Sequence, residues 1–133
     1  LAHDLLRERQ ALGASAIRIL ADVDVKHSAP LAARPLADET RDLCERGGAD
    51  AVIVSGTATS VSVNLDDLRQ VHAAAEHCPV FVGSGATIEA LPTLLPLCHG
   101  FIVGAAFKRN GHMAAPVDAQ RVSAFVAAVR SFP

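Results

Sequence analysis

A chain of 133 residues, half of them hydrophobic and a fifth charged, has the composition of a single globular domain over 1–133 with material for one core. Its 12 basic and 14 acidic residues leave a formal charge of -2 with no long like-charge run, which excludes a nucleic-acid surface and an acidic tail. No apolar run reaches the roughly 18 residues of a membrane span, and "LAHDLLRERQ" lacks the order of a secretory signal, so a cytoplasmic protein without an integral membrane segment is expected.

The chain starts without methionine inside an amphipathic helical pattern, with Leu1, Leu5 and Leu12 among polar residues, and reads as the tail of something longer. Four short runs rich in Val and Ile follow, "IRILADVDV" (17–25), "DAVIVS" (50–55), "PVFVG" (79–83) and "GFIVG" (100–104), the signature of strands buried in a parallel sheet. Helical patterns separate them at 36–47, 65–76 and 88–97, with a last one at 119–131. Asn64 and Asp118 stand at N-cap positions, Gly47 and Gly48 close the helix that carries Leu36, Thr40 and Leu43, and Pro92 interrupts the third. Val122, Phe125, Val126 and Val129 stripe the last helix. Cys44, Cys78 and Cys98 lack metal or redox spacing and read as reduced, structural thiols.

Alternating strands and helices imply a parallel sheet with right-handed crossovers, either an open doubly wound sheet or part of a barrel. A complete (β/α)8 barrel needs about 250 residues, so as a barrel this chain is half of one. In both architectures ligands bind where the strands end.

The first strand ends "ADVDVKH". Strand alternation puts Asp22, Asp24 and Lys26 on one face and Ala21, Val23 and Val25 on the other. Such a charge cluster is tolerated in a barrel lumen, where it pairs or meets a ligand, although a structural ion-pair layer is the plainer reading. Lys26 between carboxylates stays protonated, which suits an electrostatic role and not a Schiff base. Asp24 or His27 is then the better general acid or base, with Asp22 beside them. His27 could equally be an idle loop residue. Asp22, Asp24 and His27 also spell a D-x-D-x-x-H string able to hold a divalent metal, but the string is common by chance and only the two aspartates share a face. No cofactor is assigned.

The third strand runs into Gly83, Ser84 and Gly85 ahead of a helix start, which presents consecutive backbone N–H groups to an anion. The third glycine of the dinucleotide fingerprint is missing, so a nicotinamide cofactor is not expected. The fourth strand ends at Gly104 and Ala105, with Lys108 beyond. Two successive small-residue loops, the second followed by a lysine, match the phosphate site of many barrels, although glycines also simply turn a chain. Ser55, Gly56, Thr57 and Thr59 add hydroxyls to the same rim and equally suit an ordinary turn.

The stretches "ILADVDVKHSAPL", "ERGGADAVIVSGTAT", "PVFVGSGAT", "GFIVGAAFK" and "PVDAQRVSAF" resemble, in order and spacing, the BtpA family, also called BtpA/SgcQ, over essentially the whole chain. The resemblance implies a TIM barrel of the ribulose-phosphate-binding type about twice this length. This chain would be its C-terminal half, strands five to eight. It also implies a link to photosystem I biogenesis in cyanobacteria and to a sugar-utilisation operon in enteric bacteria, with no settled reaction. Two departures stand out: Ala105 and Ala106 replace hydroxyl residues, and "NGHMAAPVD" lacks an aromatic.

Three readings of function follow. A receiver-like signalling domain would use Asp22, Asp24, Thr57 and Lys108, but no later strand ends in its phospho-acceptor aspartate. The second is an enzyme doing isomerase, lyase or aldolase-type acid/base chemistry on a phosphorylated, sugar-phosphate-like molecule. The third is a non-catalytic assembly factor that keeps the scaffold. Either of the last two leaves an open half barrel that self-associates or needs an N-terminal half.

Overall fold

The computed structural model describes residues 2–25, 32, 34–56 and 62–132. Its frame is one parallel sheet of four strands, β1 (Leu20–Val23), β2 (Ala51–Val54), β3 (Val80–Val82) and β4 (Gly100–Phe101), neighbouring in chain order. That order decides between the two architectures. Right-handed crossovers between successive neighbours place every helix on the same face, whereas a doubly wound sheet reverses direction and covers both. The arrangement is that of a partial barrel.

Register assigns the faces. Val23, Val54, Val82 and Phe101 align across the sheet, as do Val52 and Val80, and these valines are buried. Onto them pack Leu36 and Leu43 of α2 (Leu36–Arg41, continued by a wider π turn, Asp42–Arg46), Leu68 and Val71 of α3 (Leu65–Ala74) and Leu94 of α4 (Leu91–Leu94). Phe101 meets Phe125 of α5 (Ala119–Arg130) edge-on with ring centroids 5.7 Å apart. The opposite face carries Leu20, Asp22, Ile53 and Phe81, and none of the described helices covers it.

Local chemistry explains the helix ends. The Asn64 side chain accepts from the N–H groups of Asp66 and Asp67, and Asp118 does the same for Gln120 and Arg121. Buried Thr40 donates its hydroxyl to the Leu36 carbonyl, 2.8 Å away. The third helix differs from the expected 88–97 element: Pro92 lies in the first turn of α4 and Pro96 in a 3-10 turn behind it, so four α residues sit between two 3-10 turns. Strands are also shorter than their apolar runs, since only the hydrogen-bonded middle of each is ladder.

α1 (Ala2–Ala11) buries no side chain. Arg9 tethers it, reaching the Ile17 carbonyl at 3.1 Å and Asp50 at 3.2 Å. Asp50 also accepts from the Ile19 N–H at 2.8 Å and from Arg18 at 2.7 Å. Those donors, the Ile19 N–H foremost, hold its carboxyl below the ordinary aspartate range. No described helix is long and apolar enough to cross a membrane.

Candidate functional site at the strand ends

Ladder hydrogen bonds carry β3 and β4 outward until their following loops meet. The Gly83 N–H donates to the Val54 carbonyl at 2.8 Å and the Ile102 N–H to Val82 at 2.9 Å. Beyond them, Gly83–Thr87 and Ile102–Ala106 enclose one cavity of about 470 Å³. Gly83, Ser84, Gly85, Gly104 and Ala105 therefore share a site. Thr87, Ile102, Gly111 and Met113 complete the wall. Gly111 and Met113 carried no sequence signal. They arrive because residues 109–117 double back, with Lys108 bridging Val117 and the Asp118 N–H bonding Phe107.

Two glycines here have different reasons. Gly85 adopts φ +66°, the left-handed region in which a Cβ is strained. Gly83 is needed for close approach: a Cβ there would lie 2.6 Å from both Ile53 Cγ2 and Ser55 Oγ. Ser55, half-buried at the end of β2, rests on Gly83 while its hydroxyl donates to Asp22 Oδ1 at 3.4 Å. Asp22, Ser55 and Gly83 thus form a lateral line from β1 to the cavity.

The anion arrangement is narrower than the sequence implies. Val54 already takes the Gly83 N–H, which leaves that amide engaged, whereas the amides of Gly85, Gly104 and Ala105, on residues that line the cavity, are among those with no backbone bond to a described residue. The following helix adds little, since α4 is one turn of α structure and a macrodipole needs aligned peptides. Lys108 is half-buried at the Val117 bridge and does not line the cavity wall.

At β1 the expected face is broken. Asp24 does not continue the alternation: its φ is +52°, one residue past the ladder, and its N–H donates to Glu39 Oε1 at 3.1 Å. It lines a separate hollow of about 730 Å³ with His3, Arg34, Glu39 and Asp42. Asp42 there is held below the usual carboxylate range, first by its 2.6 Å hydrogen bond from Arg34. Asp22 does not line that hollow. Lys26, His27, Thr57 and Thr59 lie outside the described residues.

The thiols stay out of this chemistry. Burial, followed by a hydrogen bond with Cys78, pushes Cys44 up to about 12, and burial raises Cys98 to about 11, leaving both protonated at neutral pH.

Residues 1–131 match the BtpA family. The chain belongs to that family. Over 128 residues this BtpA-family chain is 44% identical to the Photosystem I biogenesis protein BtpA of Synechocystis, covering 96% of itself and 44% of that protein. It is 40% identical over 126 residues to an uncharacterized protein of Thermococcus kodakarensis, covering 95% of itself and 47% of the relative. With a mitochondrial uncharacterized protein of Caenorhabditis elegans it shares 35% over 130 residues, 94% of this chain and 45% of the other. It spans less than half the length of these relatives. Among solved structures the YdjI aldolase from Escherichia coli K12 superimposes with a TM-score of 0.50 at 16% identity, over 98% of this chain and 49% of the aldolase. That likeness concerns the fold, a TIM barrel of which this chain matches half.

Proposed function

We propose that this BtpA-family chain supplies the phosphate-gripping half of a TIM-barrel site that takes a phosphorylated, sugar-phosphate-like small molecule for isomerase, lyase or aldolase-type acid/base chemistry. The observation carrying this reading is the convergence of two glycine-containing loops on one cavity with the Gly85, Gly104 and Ala105 amides on its wall. Backbone donors in a concave site suit phosphate oxygens. Asp22, linked to the cavity through Ser55, is the acid/base candidate with the clearest connection, and Lys26 and His27 follow it in the chain. Asp24 is demoted to the neighbouring hollow.

A non-catalytic role keeping the barrel as a photosystem I biogenesis factor has its own support. Ala105 and Ala106 bring no hydroxyl to the cavity, Asp24 diverges from Asp22, and the Synechocystis relative carries that name. In either role the open edges of the sheet call for further barrel strands, from a second copy or from another half.

Titration of isotope-labelled chain with inorganic phosphate and a sugar phosphate, read by backbone amide shifts, tests the ligand. Saturable shifts at Gly85, Gly104 and Ala105, with a smaller one at Gly83, are expected. A well-dispersed spectrum with none of these shifts would sink the phosphate reading and leave the scaffold role.

A further inference from the structure

We propose that Cys44 and Cys78 form a modification site at the strand starts, a thiol pair that a small neutral peroxide closes into a reversible disulfide. The site shares no residue with the phosphate cavity and does not rest on that reading.

Position gives the first argument. Cys44 precedes β2 and Cys78 precedes β3, so both lie at the end of the sheet opposite the glycine loops. β2 and β3 each have a strand on both sides, and the geometry between them is set within this chain.

Contact gives the second. A hydrogen bond joins the two thiols, and Cys78 Sγ lies 3.8 Å from the Ala49 carbonyl. Both cysteines line one cavity of about 250 Å³ with Glu45, Glu76 and His77, and Cys98 is not on that wall. All three cysteines are free. A disulfide needs side chains that already face each other, because its Cβ atoms stand only about 3.5–4.5 Å apart.

Backbone gives the third. Cys44 occupies the centre of the π turn Asp42–Arg46, a rare conformation that recurs at functional places. On the other side Glu76 adopts φ +46°, a left-handed conformation that is costly for a residue with a side chain. Two residues later the Cys78 N–H turns back to the Ala75 carbonyl at 2.7 Å. Two unusual turns thus bring the sulfurs together from different units of the fold.

The lining selects the reagent. Exposed Glu45 and Glu76 rim the cavity and repel anionic oxidants, which leaves a neutral peroxide as the one that fits. Burial holds Cys44 protonated, so Cys78 attacks and Cys44 resolves. The Cys78 sulfur takes one peroxide oxygen as the O–O bond breaks, giving a sulfenic acid and one water. The Cys44 sulfur then displaces that oxygen, which leaves with the Cys44 proton as a second water. Two thiols are oxidised to one disulfide and one peroxide is reduced to water. The new bond staples the turn after α2 to the turn before β3 and closes a loop around β2 and α3, which restrains the unfolded chain.

Peptide mapping of the chain after hydrogen peroxide treatment, with residual thiols blocked, tests this. A glutamate-specific protease separates Cys78 from Cys98 by cutting after Glu89. Under native conditions a Cys44–Cys78 cross-link is expected, with Cys98 left free, a mass lower by about 2 Da and full reversal by a dithiol. The denaturation midpoint should rise on oxidation and return on reduction. In denaturant the shorter loop between Cys78 and Cys98 should be favoured instead, by closure entropy. Cys98→Ser should behave as the parent, whereas Cys44→Ser should let Cys78 proceed to sulfinic acid. A native cross-link through Cys98 or between chains, sulfinic acid at Cys78 in the parent, or three thiols that survive peroxide sufficient to oxidise the denatured chain would each overturn the proposal.

Discussion

The ends of β1 and β3 invite the same reading, polar or small residues just past an apolar run, yet they behave differently. At β3 the ladder persists one residue beyond the strand, because the Gly83 N–H still bonds Val54, and the loop departs in the expected direction. At β1 the ladder stops at Val23, and Asp24 turns into the left-handed region against Glu39. Period-2 alternation is a property of the hydrogen-bonded ladder and not of the residues. Where the ladder ends, side-chain parity ends with it.

The sharpest way to break this comparison is to crowd the β3 end. Gly83→Val places carbon against Ile53 and Ser55, and a loss of about 1–3 kcal/mol is expected in chemical denaturation, since both neighbours lie 2.6 Å from the added Cβ and must shift. A neutral result would mean that the Ser55 line to Asp22 is slack. Gly85→Ala asks about backbone conformation; its φ of +66° predicts a loss of about 1–2 kcal/mol in the same assay.

At the β1 end the expectation reverses. Asp24→Gly removes a side chain from a left-handed position and should leave stability unchanged or raise it by up to about 0.5 kcal/mol, whereas glycine inside a real strand costs up to about 1 kcal/mol. A clear loss would restore Asp24 to the strand. Smallest of all is Gly104→Ala. Nothing lies within 4 Å of a Cβ at that position, so the unfolding midpoint should move by no more than about 0.5 kcal/mol allows.

Most of the frame was legible because its signals are local. Val and Ile runs, the Asn64 and Asp118 caps and the Gly47–Gly48 stop each act within a few residues, and among the described residues the strands and helices appear where these signals put them, apart from the broken 88–97 helix. Barrel against doubly wound sheet was not legible from the residues, because strand order depends on long-range pairing; only resemblance pointed the right way. The pairing of the two glycine turns was foreseeable from their places in successive βα units. The diversion of Lys108 was not, since it follows from the 109–117 segment returning to bridge Val117, a contact with no local pattern. The same return brought in Met113 unannounced. Asp24 leaves the expected strand face where a carboxylate on α2, Glu39, accepts its N–H, a contact 15 residues away in sequence with no local signal.

The chain-order sheet also determines how the molecule comes apart. Each strand answers only to the one before and the one after, much as links in a stacked repeat do, so stability is shared between nearest neighbours. β2, whose four residues are all buried, is flanked on both sides, whereas β1 and the two-residue β4 each have a single neighbour among the described residues. Opening by thermal fluctuation therefore starts at the outer strands and moves inward, and amide exchange is fastest at the edges and slowest in β2. The strands that hold the two halves of the candidate site, Asp22 on one and the Gly104 turn after the other, are therefore the first to open wherever no further strand pairs with them.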